Sequence, residues 1–404
     1  MIPIYKLFKS QQEVSLEEVE RSSSEESQEH QDIIQGLGNM SLNPTSQTYS
    51  VSNDINRFFT PDKAVWHIPR YHDDDIHSLN IWGSYCITGS KDTSVKLLNL
   101  TDMYQEIICS YKIYDGINIK FSYEKWVTAM DIANDGFIIA GYRDGNFFSK
   151  SLEDHTSSSV KNISDMLMTD EDGRLAFHKI RNNFRITALK FFNQVNPFFL
   201  FGTPGNVFYF DLRRKNFMHS LALNTKEWVY GFLAISQDKT LAIQGCNVIE
   251  LSVSDTEMRQ NTNPLIREHP KIGAQRQFAS SIYKFPEQNS LISLSFFGGK
   301  NRVYDIEAND MKRPVHYGDE HNGRVWHSLP NTPNTYLTCA DDGCVKLWDI
   351  RKSKSVITIS GHDGRVSCID TISDTEFITG SCADDNRQLG SNKGVISLYD
   401  LKML

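Results

Sequence analysis

The chain has no apolar run of 18 residues, and its first twenty residues, MIPIYKLFKSQQEVSLEEVE, turn acidic before any apolar stretch of signal length. Neither a membrane-spanning helix nor a secretory leader is expected. Thiols are few. The seven Cys are odd in number and scattered, with no Cys-x-x-Cys pair. That argues against a disulfide framework and against a cysteine-rich zinc site, and places the protein in a reducing compartment, the cytosol and/or the nucleus. Excess positive charge is missing too: 50 acidic residues face 42 basic ones, for a net charge of -8. A protein built to grip phosphate backbones is usually basic, so nucleic acid is not expected as the main ligand. No GxxxxGK[ST], GxGxxG, HExxH or GxSxG segment occurs, and the 12 His are dispersed. No catalytic, cofactor-binding or metal site is therefore expected. The acidic run Asp73-Asp74-Asp75 reads as a solvated loop, because no further ligands converge on it at recognisable spacing.

What is present points to strands. Hydrophobic residues make up 39% of the chain, and 24 Gly, 16 Tyr and 23 Phe favour turns and pleated surfaces. The length of 404 residues would ordinarily suggest two or three domains. Residues 1–60 differ from the rest. Residues 1–50 hold eight acidic residues against three basic ones and are rich in Ser, Gln and Glu, which reads as a disordered acidic tail. Within it, Ser22-Ser23-Ser24-Glu25-Glu26 suits an acidophilic kinase, since a Ser followed three positions later by Glu fits a basic pocket. The alternative is a plain solvated segment.

Beyond residue 60 the chain repeats. One unit runs His321-Asn-Gly-Arg-Val325, Tyr336-Leu-Thr-Cys-Ala-Asp-Asp342-Gly343, Val345-Lys-Leu-Trp348-Asp349. The next runs Gly361-His362-Asp-Gly-Arg-Val366, Phe377-Ile-Thr-Gly-Ser381, Val395-Ile-Ser-Leu-Tyr399-Asp400. Apolar and polar residues alternate with period two and are interrupted by Gly/Asp/Asn turns, the pattern of consecutive antiparallel strands. Five further copies bring the unit ends to 99, 151, 211, 252, 305, 349 and 400. The intervals exceed the roughly 40–45 residues of one unit, so insertions are expected near 101–122, 153–181, 253–274 and 383–393.

These units resemble WD repeats. The resemblance implies an all-β fold over residues 61–404, a single seven-bladed β-propeller of four-stranded antiparallel blades. The last unit ends at Asp400 with four residues left, so a strand near 63–69, including Ala64-Val-Trp-His-Ile68, is expected to close the ring as the outer strand of the last blade. The resemblance also implies a buried structural network of His321, Thr338, Asp342 and Trp348, with His72, Thr88 and Asp92 in matching phase and Leu98 in place of the Trp.

In such a fold the residue before each innermost strand lies in a ring of top-face contacts. Here that ring reads Asp75, Trp126, Arg185, Trp228, Phe278, Arg324 and Arg365. Trp and Arg dominate protein interfaces because they bury large area and keep a polar handle. The reading is a non-enzymatic scaffold or adaptor that binds protein partners or peptides on this face as part of a hetero-complex. The three Arg favour acidic or phosphorylated peptides. An alternative comes from Trp348-Asp349-Ile350-Arg351, which resembles the WDxR element of cullin-4-type ubiquitin-ligase substrate receptors, and from its degenerate copy Phe210-Asp211-Leu212-Arg213. On that reading Asp349, Arg351 and Arg213 would dock the ligase adaptor.

Overall fold

The computed structural model describes residues 64–404, apart from 111–112, 116–117, 121–124, 153–157, 163–184, 193–197, 213–215, 224–226, 255–256, 262–265, 268–277, 309–312 and 384–392. The acidic N-terminal stretch lies outside these residues. Every regular element among them is a strand.

The strands form seven antiparallel sheets, plus a small two-stranded ribbon of Ile113–Asp115 and Asn118–Lys120. From inner to outer strand, blade 1 is Ile76–Trp82, Tyr85–Ser90, Ser94–Asn99 and Gln105–Ser110. Blade 2 is Val127–Ile132, Phe137–Tyr142, Asn146–Ser151 and Ser158–Asn162. Blade 3 is Ala188–Phe191, Phe198–Thr203, Asn206–Asp211 and Asn216–Ala222. Blade 4 is Val229–Ala234, Lys239–Gln244, Asn247–Val253 and Met258–Gln260, with Ile266–Arg267 also pairing its third strand. Blade 5 is Ala279–Lys284, Leu291–Phe296, Asn301–Asp305 and His316–Gly318. Blade 6 is Val325–Pro330, Thr335–Ala340, Val345–Asp349 and Ser355–Ile359. Blade 7 takes Val366–Thr371, Glu376–Ala383 and Lys393–Asp400 from the end of the chain and Trp66–His72 from its other end.

The closing strand extends to His72, beyond the expected 63–69. The register slips between Ile68 and His72, and Arg70 adopts φ +56° there, so the polar Arg70 interrupts the alternation that marks a strand in sequence. The expected insertions are also not pure loop. The outer strands of blades 1, 2 and 4 lie inside them, because short edge strands carry little apolar signal.

Each inner strand packs against the inner strands of both neighbouring blades, and the contacts close from blade 7 back to blade 1. The core is therefore divided among seven seams, each with its own apolar cluster. A blade cannot bury its faces alone, which is why the repeat must close on itself. The close approach of blades sets a local rule. In blades 1, 2, 3 and 7 the second strand carries Gly89, Gly141, Gly202 and Gly380 against a residue at the start of the next blade's inner strand or, for Ile186 in blade 3, two residues before it. A Cβ on Gly141 would lie 2.5 Å from Ile186 Cγ2, and one on Gly202 would lie 2.6 Å from Val229 Cβ. Blade 4 solves the same problem in reverse: Ile243 takes the glycine position, and Gly231 stands opposite it on the inner strand.

Candidate functional site: the rim of the propeller

The loops that carry the rim are fixed from below. His321 donates from Nδ1 to the Asp342 carboxylate at 2.9 Å, and its Nε2 accepts from the Thr338 hydroxyl at 2.6 Å. The same hydroxyl oxygen accepts the indole N–H of Trp348 at 2.8 Å. Asp342 also caps the backbone N–H groups of Asn322 and Cys344. Burial works to raise this carboxyl, but the His321 bond and the two backbone donors outweigh it and hold it below its ordinary range. The same arrangement recurs at blade 1, where His72 bridges Asp92 at 3.0 Å and Thr88 at 2.8 Å, with Leu98 buried in place of the Trp. Blade 7 varies it: His362 bonds the Gly343 carbonyl and accepts from Tyr399, which stands where blade 6 has Trp348. Every polar atom of the blade 6 tetrad that is named here has a partner, and these bonds hold the loops in place.

Above this layer, the inner strands begin with a bulge. In six blades the register slips after the first residue of the inner strand. The extra residue is turned out of the ladder. At three seams it is a hydroxyl that ties to the next blade, Thr128 to the Ile186 carbonyl, Ser280 to Val325, and Ser367 to Ile76 across the ring closure, and in blade 3, which has no slip, Thr187 occupies the matching place and bonds Val229. At the other three seams the residue is aromatic instead: His77, Tyr230 and Trp326.

The seven residues read from the sequence sit at the start of the seven blades, six of them two residues before a bulged residue, and divide into two sectors. The first spans blades 7, 1 and 2. Asp75, expected as a contact residue, is fully buried and ion-paired to both Lys91 and Arg365. An acid under two cations is an anchor, so a partner meets the cations rather than Asp75. Lys91 Nζ lies 4.7 Å from the Trp126 ring centre and the Arg143 guanidinium 5.3 Å from it, so half-buried Trp126 is flanked by cations.

The second sector spans blades 3 to 6. Arg185 lies 5.9 Å from the ring of Trp228, and Trp228 stacks on Tyr230 with centroids 6.1 Å apart. Tyr230 meets Phe278 at 6.0 Å and Phe297 edge-on at 5.4 Å. Phe297 in turn meets Trp326 at 5.3 Å, and Arg324 lies over Phe297 at 5.5 Å. The indole N–H of Trp326 donates to Asp341 at 2.7 Å. Burial pushes the Tyr230 hydroxyl up to about 12, with Arg324 opposing, so it stays a neutral donor. The Arg324 side chain is 57% exposed, and Trp228 is 37% exposed.

Lys91, Arg143, Tyr230, Phe297 and Trp326 were not among the residues expected on this face. The bulge turns Tyr230 and Trp326 toward the rim, although their place inside a strand reads as core. Phe297, Lys91 and Arg143 come from the turns between second and third strands. A shallow depression of about 410 Å³ lies beside the second sector, lined by Asp341, Asp342, Gly343, His362, Asp363, Gly364, Arg365 and Cys382. Among the described residues no group of three or more His, Cys, Asp or Glu is placed to hold a metal ion.

On the opposite side of the ring, Arg351 follows the third strand of blade 6. Its guanidinium makes two bonds to Asp349, at 2.8 and 2.7 Å, and the side chain is 68% exposed. Hydrogen bonds from Arg351 hold the Asp349 carboxyl at about 2. Arg213, the second expected docking residue, lies outside the described residues.

Comparison with known proteins agrees with this geometry. The family model for the WD domain, G-beta repeat, matches residues 312–349 and 353–387. The crystal structure of the WD40 beta propeller domain of Doa1 superimposes with a TM-score of 0.56 at 14% identity, covering 83% of this chain and 96% of that one. An F-box/WD repeat-containing protein A-like protein of Dictyostelium discoideum is 30% identical over 98 residues, 22% of this chain. The match spans 8% of the length of that relative.

Proposed function

We propose, for a chain that carries WD40 repeats on a seven-bladed ring, that it is a non-enzymatic scaffold whose top rim holds acidic or phosphorylated segments of protein partners within a larger complex. WD40 propellers in general serve as protein-interaction scaffolds. The observation that carries the finer reading is the exposed guanidinium of Arg324 over Phe297 at one end of a run of aromatic rings, with Arg185 over the exposed Trp228 at the other. Arginine pairs with carboxylate and phosphate through two parallel hydrogen bonds, and an open Trp beside it supplies area. The test is affinity capture with the full chain, followed by mass spectrometry of co-purifying proteins. Arg324→Glu, with a wild-type melting profile, is expected to lose partners. Survival of every partner removes the top rim from the function.

A second reading has one observation in its favour. Arg351 projects from the other face, held by Asp349 and open to solvent, which suits docking to a cullin-4-type ligase adaptor. Loss of adaptor capture on Arg351→Ala supports it, and unchanged or absent capture eliminates it.

A further inference from the structure

The second sector of the rim holds more than cations. Trp228, Tyr230, Phe278, Phe297 and Trp326 form an unbroken arc of ring contacts over blades 4, 5 and 6, with neighbouring centroids 5.3 to 6.1 Å apart. The fold does not require aromatics there. At four seams the matching position holds Thr or Ser and ties neighbouring blades through a hydroxyl. Blades 4 and 6 give up that tie for Tyr230 and Trp326. Of the six Trp, Trp228 alone is exposed. Arg185 stands over Trp228 at one end of the arc, and Arg324 over Phe297 at the other.

These facts restrict what the arc can take. Its ring faces already meet two guanidinium groups, so a cationic guest such as a methylated lysine would be repelled by Arg185 and Arg324. A purely acidic guest would use the two arginines and leave the rings uncovered. A guest with both characters uses everything present. We propose that the arc is an anchor subsite for one aromatic or large aliphatic side chain of a partner peptide, with acidic residues next to that anchor reaching Arg185 and Arg324. The inference rests on the reading of the rim as an acidic-peptide site and specifies the ligand it takes.

The experiment is selection of random seven-residue peptides, displayed on phage, against the full chain. The recovered peptides are then measured against Trp228→Ala, Trp228→Phe and Arg324→Glu variants, each checked for an unchanged melt. The expected peptides carry a Phe, Trp, Leu, Ile or Met within two positions of Asp or Glu. Trp228→Ala weakens them at least about tenfold, Trp228→Phe restores most of the binding, and Arg324→Glu weakens them at least about tenfold. Acidic peptides without an apolar residue, sensitive to Arg324→Glu but not to Trp228→Ala, overturn the anchor and leave the proposed function standing. Apolar peptides indifferent to Arg324→Glu overturn both. Recovery of nothing above an unrelated control protein overturns both as well.

Discussion

The hydroxyl of Tyr283 lies 2.6 Å from Nδ1 of His327, across the seam between blades 5 and 6. With the phenol donating, Nδ1 accepts and the imidazole is neutral. Burial enforces this state: it pushes Tyr283 well above its ordinary range and His327 down to about 4. Burial also holds His362 at about 4, against its bond to the Gly343 carbonyl, and holds His77 at about 3 with help from Lys91 and Arg143.

A pH dependence follows. A His whose folded pKa lies below its unfolded value of about 6.5 stays neutral in the fold while the unfolded chain takes up protons. Its contribution is complete above about pH 6.5 and is lost as the pH falls from there to about 4. Asp370 acts oppositely, since burial raises it to about 6 and the fold keeps a proton that the unfolded chain releases above about 3.9. Burial also lowers His316 and raises Asp74, so four His stand against two Asp. The melting temperature is expected to fall between pH 6.5 and 4, with each His adding a slope of up to about 1.4 kcal/mol per pH unit. His327→Gln keeps an acceptor for Tyr283 and is expected to flatten the profile. Thermal melts at four or five pH values decide it, and a profile parallel to wild type removes His327 from the account.

The seam beside that pair has the smallest buried cluster of the seven: Phe285, Val303, Tyr336 and Trp348. Polar bonds therefore matter more there. Thr338→Val keeps the shape of the side chain but strips the hydroxyl that serves both His321 Nε2 and the Trp348 indole. Two buried polar atoms lose their partner, and the expected cost is about 2–6 kcal/mol, at about 1–3 each. Chemical denaturation of the Thr338→Val and Thr338→Ser variants gives the comparison. Ser should retain most of the stability, and equal stability of Val and wild type would show that the network is dispensable.

Much of this was legible in the sequence because it depends on periodicity and on paired residue types. Third strands end at Asn99, Ser151, Asp211, Asp305, Asp349 and Asp400, where the repeat phase puts them, and blade 4 ends one residue later than expected. The His321 tetrad was expected from the resemblance to WD repeats, and the structure joins its four members by hydrogen bonds. The rim was legible only in part. Asp75 occupies the expected ring position, yet two neighbouring cations draw it into the interior. Tyr230 and Trp326 read as core residues of an alternating strand, and only the bulge reverses that. A one-residue register slip leaves no mark on composition or period.

The contacts at Gly141 and Gly202 make a steric prediction. Val at either position would place Cβ within 2.5 to 2.6 Å of Ile186 or Val229, where the neighbouring blade cannot withdraw without opening a seam. Overpacking of this kind costs about 1–3 kcal/mol or more. Gly141→Val paired with Ile186→Ala should recover part of the loss, as Gly231 opposite Ile243 does in blade 4. Absence of any coupling in the double variant would mean that the two residues do not meet.

The rim arginines should separate stability from binding. Arg324 is more than half exposed, and its nearest acid, Asp341, is 3.8 Å away, so Arg324→Glu should change stability by less than about 0.5 kcal/mol. Arg365 is 29% exposed and pairs with an Asp75 that is fully buried. Arg365→Glu would set two carboxylates against each other, leave Lys91 as the remaining cation on Asp75, and strain the seam that closes the ring. It should therefore melt several degrees lower whether or not a ligand is present, whereas Arg324→Glu should melt like wild type and still lose its peptide. If Arg324→Glu is the variant that unfolds, its charge supports the blade 5 and 6 loops. Loss of binding could not then be assigned to the rim, and Arg185→Glu, at the other end of the aromatic arc, becomes the substitution that tests it.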